Sequence, residues 1–323
     1  MTVNTKPPSR QTGSLIERAA AAFDLGLNRV TAPATPPPVA TGPTTTAQAL
    51  ASAPAAQTES RVSHNRPEAA APLVANPRTR LRADIDLDRL RDAGFIIPGA
   101  PATIISEEFR LIKRKILLGA LGGPKTEPLP NGRLILICSG QPNEGKTFTA
   151  VNLALSLACE TDIEVLLIDA DVAKPEVLST LGLPGTVGLM DALVDHSLDV
   201  EQLVIQTDIP KLSVLPAGRA AANDTEALAS DYAHNLIQGL IAHNPRRVVV
   251  FDSAPVLAAS PAVVLAHHVG QTLMVVRADQ TGDAELRESV DLLAGCPHIN
   301  LMLNSVTYFG SGKKYGAYYG LGD

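Results

Sequence analysis

The stretch SGQPNEGKT sets Gly140, Gly145, Lys146 and Thr147 in the spacing G-x-x-x-x-G-K-[ST]. A loop of that kind is suited to holding phosphates. Its glycines let consecutive backbone N–H groups curl around an anion, and the helix that follows adds its positive end. The lysine reaches the β and γ oxygens, and the hydroxyl ligates Mg²⁺. Gly140, Asn143, Glu144, Gly145, Lys146, Thr147 and Phe148 are therefore the candidate lining of a nucleoside triphosphate site, expected to use ATP.

Two apolar runs end in acids. VVVFDSAP carries Asp252, and LLIDADVAKP carries Asp169 and Asp171. A carboxylate at the tip of such a run is costly without a cation beside it. A Mg²⁺ ion held by Thr147, Asp169 and Asp252 would supply one. Moving a phosphoryl group to a hydroxyl also needs in-line positioning, charge neutralisation and a proton acceptor. Lys146, Asp169, Asp171 and Asp252 are the catalytic candidates, with Asp169 able to hold the metal or take the proton. The hydroxyls are expected at the end of the chain. Four of the five tyrosines, Tyr308, Tyr315, Tyr318 and Tyr319, fall in the last sixteen residues, among Gly and Lys.

The elements that must position these groups are legible as a regular alternation from residue 132. RLILICS, EVLLIDAD, LSVLPAG, RRVVVFDSA, TLMVVRAD and NLMLNSV read as short buried strands. TFTAVNLALSLAC, VGLMDALVDH, TEALASDYAHNLIQGLIAHN and AELRESVDLLAGC read as helices. The expected fold is α/β, a P-loop NTPase with a mostly parallel sheet and helices on both faces. In such sheets ligands bind at the carboxyl ends of the strands, which gathers the three acids at the phosphate loop. Upstream, DIDLDRLRDAGF opens the ordered region, and EEFRLIKRKILLGA gives a helix with Phe109, Ile112, Ile116 and Leu117 along one side.

Residues 1–83 read as a disordered Pro/Ala/Thr-rich lead. It carries a short helix over 14–25, opened by a capping box of Ser14 with Glu17. Residues 84–303 form the phosphate-binding domain, and 304–323 a Gly/Tyr-rich tail. With 3% aromatics and no Trp, the core must be aliphatic. A net charge of −6 offers no basic footprint for nucleic acid. The three cysteines, Cys138, Cys159 and Cys296, lack metal-ligand spacing and read as reduced thiols of a cytosolic protein. His267-His268 and the other histidines show no metal spacing either. VVVFDSAPVLAASPAVVLAHHV is long enough to cross a bilayer, but it contains Asp252 and two prolines.

The phosphate loop, LLIDADVAKP, FDSAP and the terminal tyrosine cluster together resemble the bacterial tyrosine kinases of P-loop type. Within them the chain resembles the tyrosine autokinases of exopolysaccharide loci associated with exosortase and PEP-CTERM systems, through SLIERAA, RLRDAGFIIP, EEFRLIKR, NEGKTFTAVNLALSLA, DADVAKP, LPAGR and HHVGQTLMVV. The resemblance implies ATP- and Mg²⁺-dependent autophosphorylation of the tail, control of polysaccharide export or chain length, and a cytoplasmic seat at the inner membrane beside a membrane-embedded activator. It carries the phosphate lysine onto Lys146, the Mg²⁺ hydroxyl onto Thr147, the Walker A′ acids onto Asp169 and Asp171, and the Walker B acid onto Asp252. An E-x-x-R-x-x-R helix that packs ring-shaped homo-oligomers falls on Glu107, Arg110 and Lys113, and an adenine contact on Asn304.

The chain departs from that pattern at Ala173, where an Arg is usual, at Ser253-Ala254-Pro255, and at Lys113, which cannot make the planar two-pronged contact of an arginine. Two rival readings are a partitioning or cell-division ATPase and a non-catalytic, ATP-gated scaffold. Gln141 stands where the partitioning enzymes carry a signature lysine, which weighs against the first. Intact Lys146, Asp169 and Asp252 weigh against the second. A tail of about 20 residues spans roughly 65 Å when extended, long enough to enter a neighbouring copy.

Overall fold

The computed structural model describes residues 81–306, except 186, 221 and 222. The expected helix over 14–25, residues 1–80 of the expected lead, and Tyr308, Tyr315, Tyr318 and Tyr319 lie outside the described residues, whereas the last residues of that lead, 81–83, are described and include a two-residue strand. The strands are β1 (Arg82–Ala83), β2 (Leu134–Ser139), β3 (Glu164–Ala170), β4 (Ile205–Thr207), β5 (Leu212–Leu215), β6 (Arg247–Ser253), β7 (Gln271–Arg277) and β8 (Ile299–Asn304). The helices are α1 (Leu87–Asp92), α2 (Ile104–Leu121), α3 (Lys146–Ala158), α4 (Val177–Leu181), α5 (Leu189–Val194), α6 (Val200–Leu203), α7 (Asp224–Leu228), α8 (Asp231–Ala242), α9 (Pro261–Ala266) and α10 (Asp283–Leu292).

One sheet runs in the order β1-β4-β5-β3-β6-β2-β7-β8. Its pairs are parallel except β4 with β5, which meet antiparallel. The six strands legible in the sequence are the contiguous run from β5 to β8; the two added here, β1 and β4, lie together at the other margin and are two and three residues long. LILICS is buried at every position because β2 lies between β6 and β7 with helices above and below. One buried cluster joins α2, α3 and α4 to one face of the sheet. A second joins α5, α8, α9 and α10 to the other.

Local signals explain the boundaries. Thr103 caps α2 by accepting the Ser106 N–H at 3.1 Å, while Ser106 Oγ accepts the Thr103 N–H at 2.8 Å. Phe109, Ile116, Leu117 and Ala120 form its buried side. The stretch read as one helix, TEALASDYAHNLIQGLIAHN, is two, α7 and α8. Ser230 separates them by accepting the Ala233 N–H at 3.0 Å. Tyr232, the fifth tyrosine, stacks on His196 with ring centroids 3.8 Å apart.

The chain leaves β2 toward β3 on one side and later reaches β7 and β8 on the other. The carboxyl end of β2 is thus the point where the winding changes direction, the usual ligand crevice of an open parallel sheet. At the opposite end Arg133 Nη1 donates to the carbonyls of Asn244 at 2.7 Å and Ile241 at 3.1 Å, tying β2 to the loop after α8.

Candidate active site

The loop joining β2 to α3 turns through two left-handed residues, Asn143 at φ 65° and Gly145 at φ 99°. A Cβ at Gly145 would collide with the Asn304 side-chain amide, so only glycine fits there. No side chain caps the N-terminus of α3. Its first N–H groups are the kind of donors an anion satisfies. Lys146 opens the helix, and Thr147 follows; both are buried.

Lys146 Nζ sits 2.9 Å from Asp171 Oδ2, with side-chain exposures of 9% and 4%. Burial pulls the ammonium down, but the Asp252 carboxylate and the hydrogen bond to Asp171 outweigh it and hold the lysine above its ordinary range. Asp169 lies directly opposite Asp252 in the β3–β6 register. Its two oxygens accept the N–H groups of Asp171 at 3.2 Å and Val177 at 3.0 Å. Burial pushes it up to about 6 despite those two donors. Asp252 is fully buried, and burial pushes it up to about 7 against the pull of Lys146.

Both Asp252 oxygens and the Thr147 hydroxyl are buried without a hydrogen-bond partner. Orphaned groups of this kind are rare and call for an explanation. A hard divalent cation would satisfy a hydroxyl and a carboxylate together, so these residues fit Mg²⁺. Asp169 is engaged differently. With both oxygens taken by backbone donors, it orders the 171–177 turn, and Asp171 is the acid that reaches Lys146.

Two expected site residues have side chains engaged within the chain. The Phe148 ring packs on Phe95, with centroids 4.8 Å apart, inside the α2–α3 cluster. Lys113, expected at an interface between copies, is turned into its own chain. It is buried, pairs with Glu160 at 2.7 Å and donates to the Ser156 carbonyl at 2.9 Å. A cation near the C-terminus of α3 is favourable to its dipole. Glu107 and Arg110 pair within α2, and Arg110 is exposed. Asn304, at the end of β8, donates its amide to the Glu144 carbonyl at 2.9 Å. Gln141 donates to Glu285 at 3.3 Å within the chain.

Sequence reasoning missed the outer support of the loop. Thr281 donates to Glu144, and Arg277 Nη1 donates to the Asn143 carbonyl at 3.2 Å. The only available signal was their place just after an apolar strand. Buried His268 is satisfied, meeting the Leu228 carbonyl at 2.9 Å and His234 at 3.3 Å. Among the described residues no group of three His, Cys, Asp or Glu side chains is arranged to hold a metal.

A phosphate loop, an opposed pair of buried acids and an ion-paired lysine share one end of the sheet, and the chain that carries them is similar to known proteins. The chain is 31% identical over 196 residues to the tyrosine-protein kinase YwqD of Bacillus subtilis (strain 168), covering 61% of this chain and 78% of that protein. The chain belongs to the family of bacterial tyrosine-protein kinases. It is also 30% identical over 175 residues to the tyrosine-protein kinase ptk of Acinetobacter johnsonii, 54% of this chain but 23% of that longer protein. It thus spans about a quarter of that relative.

Among solved structures, the chimerical protein CapA2B2 superposes at a TM-score of 0.57 with 26% identity, over 71% of this chain and 95% of that one. The kinase domain of Escherichia coli tyrosine kinase ETK shares the fold at a TM-score of 0.53 with 21% identity, over 71% and 93% of the two chains. No family model matches the chain. The tyrosine kinases of this family are P-loop enzymes with a mostly parallel sheet, as the sequence led us to expect.

Proposed function

We propose that the chain is an ATP- and Mg²⁺-dependent autokinase that transfers the γ-phosphoryl group to Tyr308, Tyr315, Tyr318 and Tyr319 of a neighbouring copy. The observation that carries this reading is the buried Lys146–Asp171 pair beside the unpartnered Thr147 hydroxyl and Asp252 carboxylate. Thr147 and Asp252 are the residues that would hold the metal, and a bound Mg²⁺ would neutralise charge on the β and γ oxygens. The N–H groups at the start of α3 receive the phosphates.

Lys146 has two acceptable partners, Asp171 and a phosphate. Turning from the first to the second, it stabilises the triphosphate and releases Asp171 Oδ2, while Oδ1 keeps the Lys174 N–H at 3.1 Å. Asp171 then accepts the tyrosine O–H proton as the oxygen attacks the γ phosphorus and the bond to the bridging oxygen of ADP breaks. Asp169 supports this by holding the 171–177 turn through its two backbone hydrogen bonds.

The exopolysaccharide role rests on the motifs shared with autokinases of such loci. Each phosphate adds about −1.5 to −2 charges, so several on adjacent tails repel one another and loosen a ring of copies. Glu107 and Arg110 remain the α2 residues available to such an assembly. Among the described residues no helix is long and apolar enough to cross a membrane. A membrane-embedded protein of polysaccharide chain-length control or export would hold the kinase at the inner membrane.

The test mixes a Lys146→Met chain with a tagged active chain lacking residues 307–323, adds ATP and Mg²⁺, and weighs tail peptides. Phosphate on the Lys146→Met tail supports transfer between copies. An unlabelled tail there, with label appearing when the active chain keeps its own tail, shows transfer within one chain. No gain in mass in any mixture sinks the autokinase reading.

A further inference from the structure

Glu144 is held at three points, two of them from outside the phosphate loop. It is buried, although Pro142 and Asn143 just before it are exposed. One carboxylate oxygen accepts the Gln141 N–H at 2.8 Å, and the other accepts the Thr281 hydroxyl. The Glu144 carbonyl accepts the Asn304 amide at 2.9 Å. Thr281 Oγ also accepts the Arg277 N–H at 3.0 Å, and a hydroxyl has one proton, which the geometry commits to Glu144.

The residues on either side, Asn143 and Gly145, both have positive φ. Such a conformation at Asn143 persists when its surroundings hold it, and the Arg277 hydrogen bond to its carbonyl contributes to that hold. The loop that curls around the phosphates is therefore braced by the turn after β7 and by the end of β8.

We propose that Thr281 and Asn304 are positioning residues for phosphoryl transfer, acting through Glu144 to hold the phosphate loop in its triphosphate-receiving form. This rests on reading the loop as a triphosphate site. Thr281 has no part in the chemistry. Removing its hydroxyl leaves a buried carboxylate oxygen without its donor, and the loop relaxes to satisfy it. Binding then has to restore the curled form, so affinity falls while turnover at saturation is kept. Asn304 acts on the same residue from β8, and its effect extends to the phosphates as well as to any base it touches.

The experiment measures the affinity of the full chain for ATP and for inorganic tripolyphosphate, each with Mg²⁺. Thr281→Val should bind both about tenfold more weakly, the scale of one lost buried hydrogen bond. KM for ATP should rise with kcat kept, and the melting temperature without nucleotide should stay within a few degrees of wild type. Thr281→Ser should restore affinity. Asn304→Ala should weaken ATP and tripolyphosphate alike; weakening of ATP alone would overturn its bracing role. Thr281→Val binding like wild type would overturn the clamp while leaving the triphosphate site standing. Wild type that binds neither probe overturns the site and the clamp with it. Should Thr281→Val not fold, Thr281→Ala carries the same comparison, because it also removes the hydroxyl that Glu144 accepts.

Discussion

Asp252 presents the sharpest conflict at the scale of a single residue: a carboxylate without a hydrogen bond, buried at the tip of an apolar strand. Its pKa stands at about 7 in the fold against 3.8 for a free carboxyl. The folded state therefore favours the protonated acid. That preference stabilises the nucleotide-free protein fully below pH 4 and is lost as pH rises through about 7. Asp169, raised to about 6, contributes in the same direction. Chemical denaturation without metal or nucleotide should show stability declining from about pH 4 to 8. Asp252→Asn should flatten most of that slope and stabilise the protein at pH 8 by on the order of 2–4 kcal/mol, while abolishing phosphorylation. At the same scale, Lys146→Met should weaken ATP binding about 10- to 100-fold, as expected for the loss of a charged hydrogen-bond donor, checked by titration with a fluorescent ATP analogue.

Between elements, the contact of α2 with α3 depends on Lys113, whose ammonium closes the end of α3 through Ser156 and Glu160. Lys113→Ala leaves those acceptors uncovered at a cost of about 1–3 kcal/mol. Thermal unfolding followed by circular dichroism should show a melting point lower by roughly 3–8 °C. Arg110→Ala, at an exposed position with a local partner, should leave it unchanged. The contrast shows what sequence carries at this level. The E-x-x-R-x-x-K spacing set three charges along one helix, but whether the third pointed outward depended on a neighbour 43 residues away. Long apolar runs such as LILICS were legible because burial on both faces removes any need for polar alternation. β1 and β4 were not, since two or three residues leave no period to read. The phosphate loop and the acids at the tips of β3 and β6 were legible from residue type and position. Their division of labour was not: Asp169, read as metal ligand or base, also accepts one backbone N–H at each oxygen, and only coordinates reveal that.

Over the whole molecule, both buried clusters are built from residues 85–296 among those described, with partners as far as Met302. A chain lacking residues 1–80 should keep its melting temperature and its affinity for ATP, measured by calorimetry. The sheet order has a further consequence. Residue 81 enters at one margin of the eight strands, and residue 306 departs at the other. Seven interstrand spacings of about 4.8 Å separate those margins by roughly 34 Å. Residues 81 and 306 thus lie on opposite flanks of the sheet. Under the proposed transfer between copies, anything engaging the β1 margin would leave the β8 margin unobstructed.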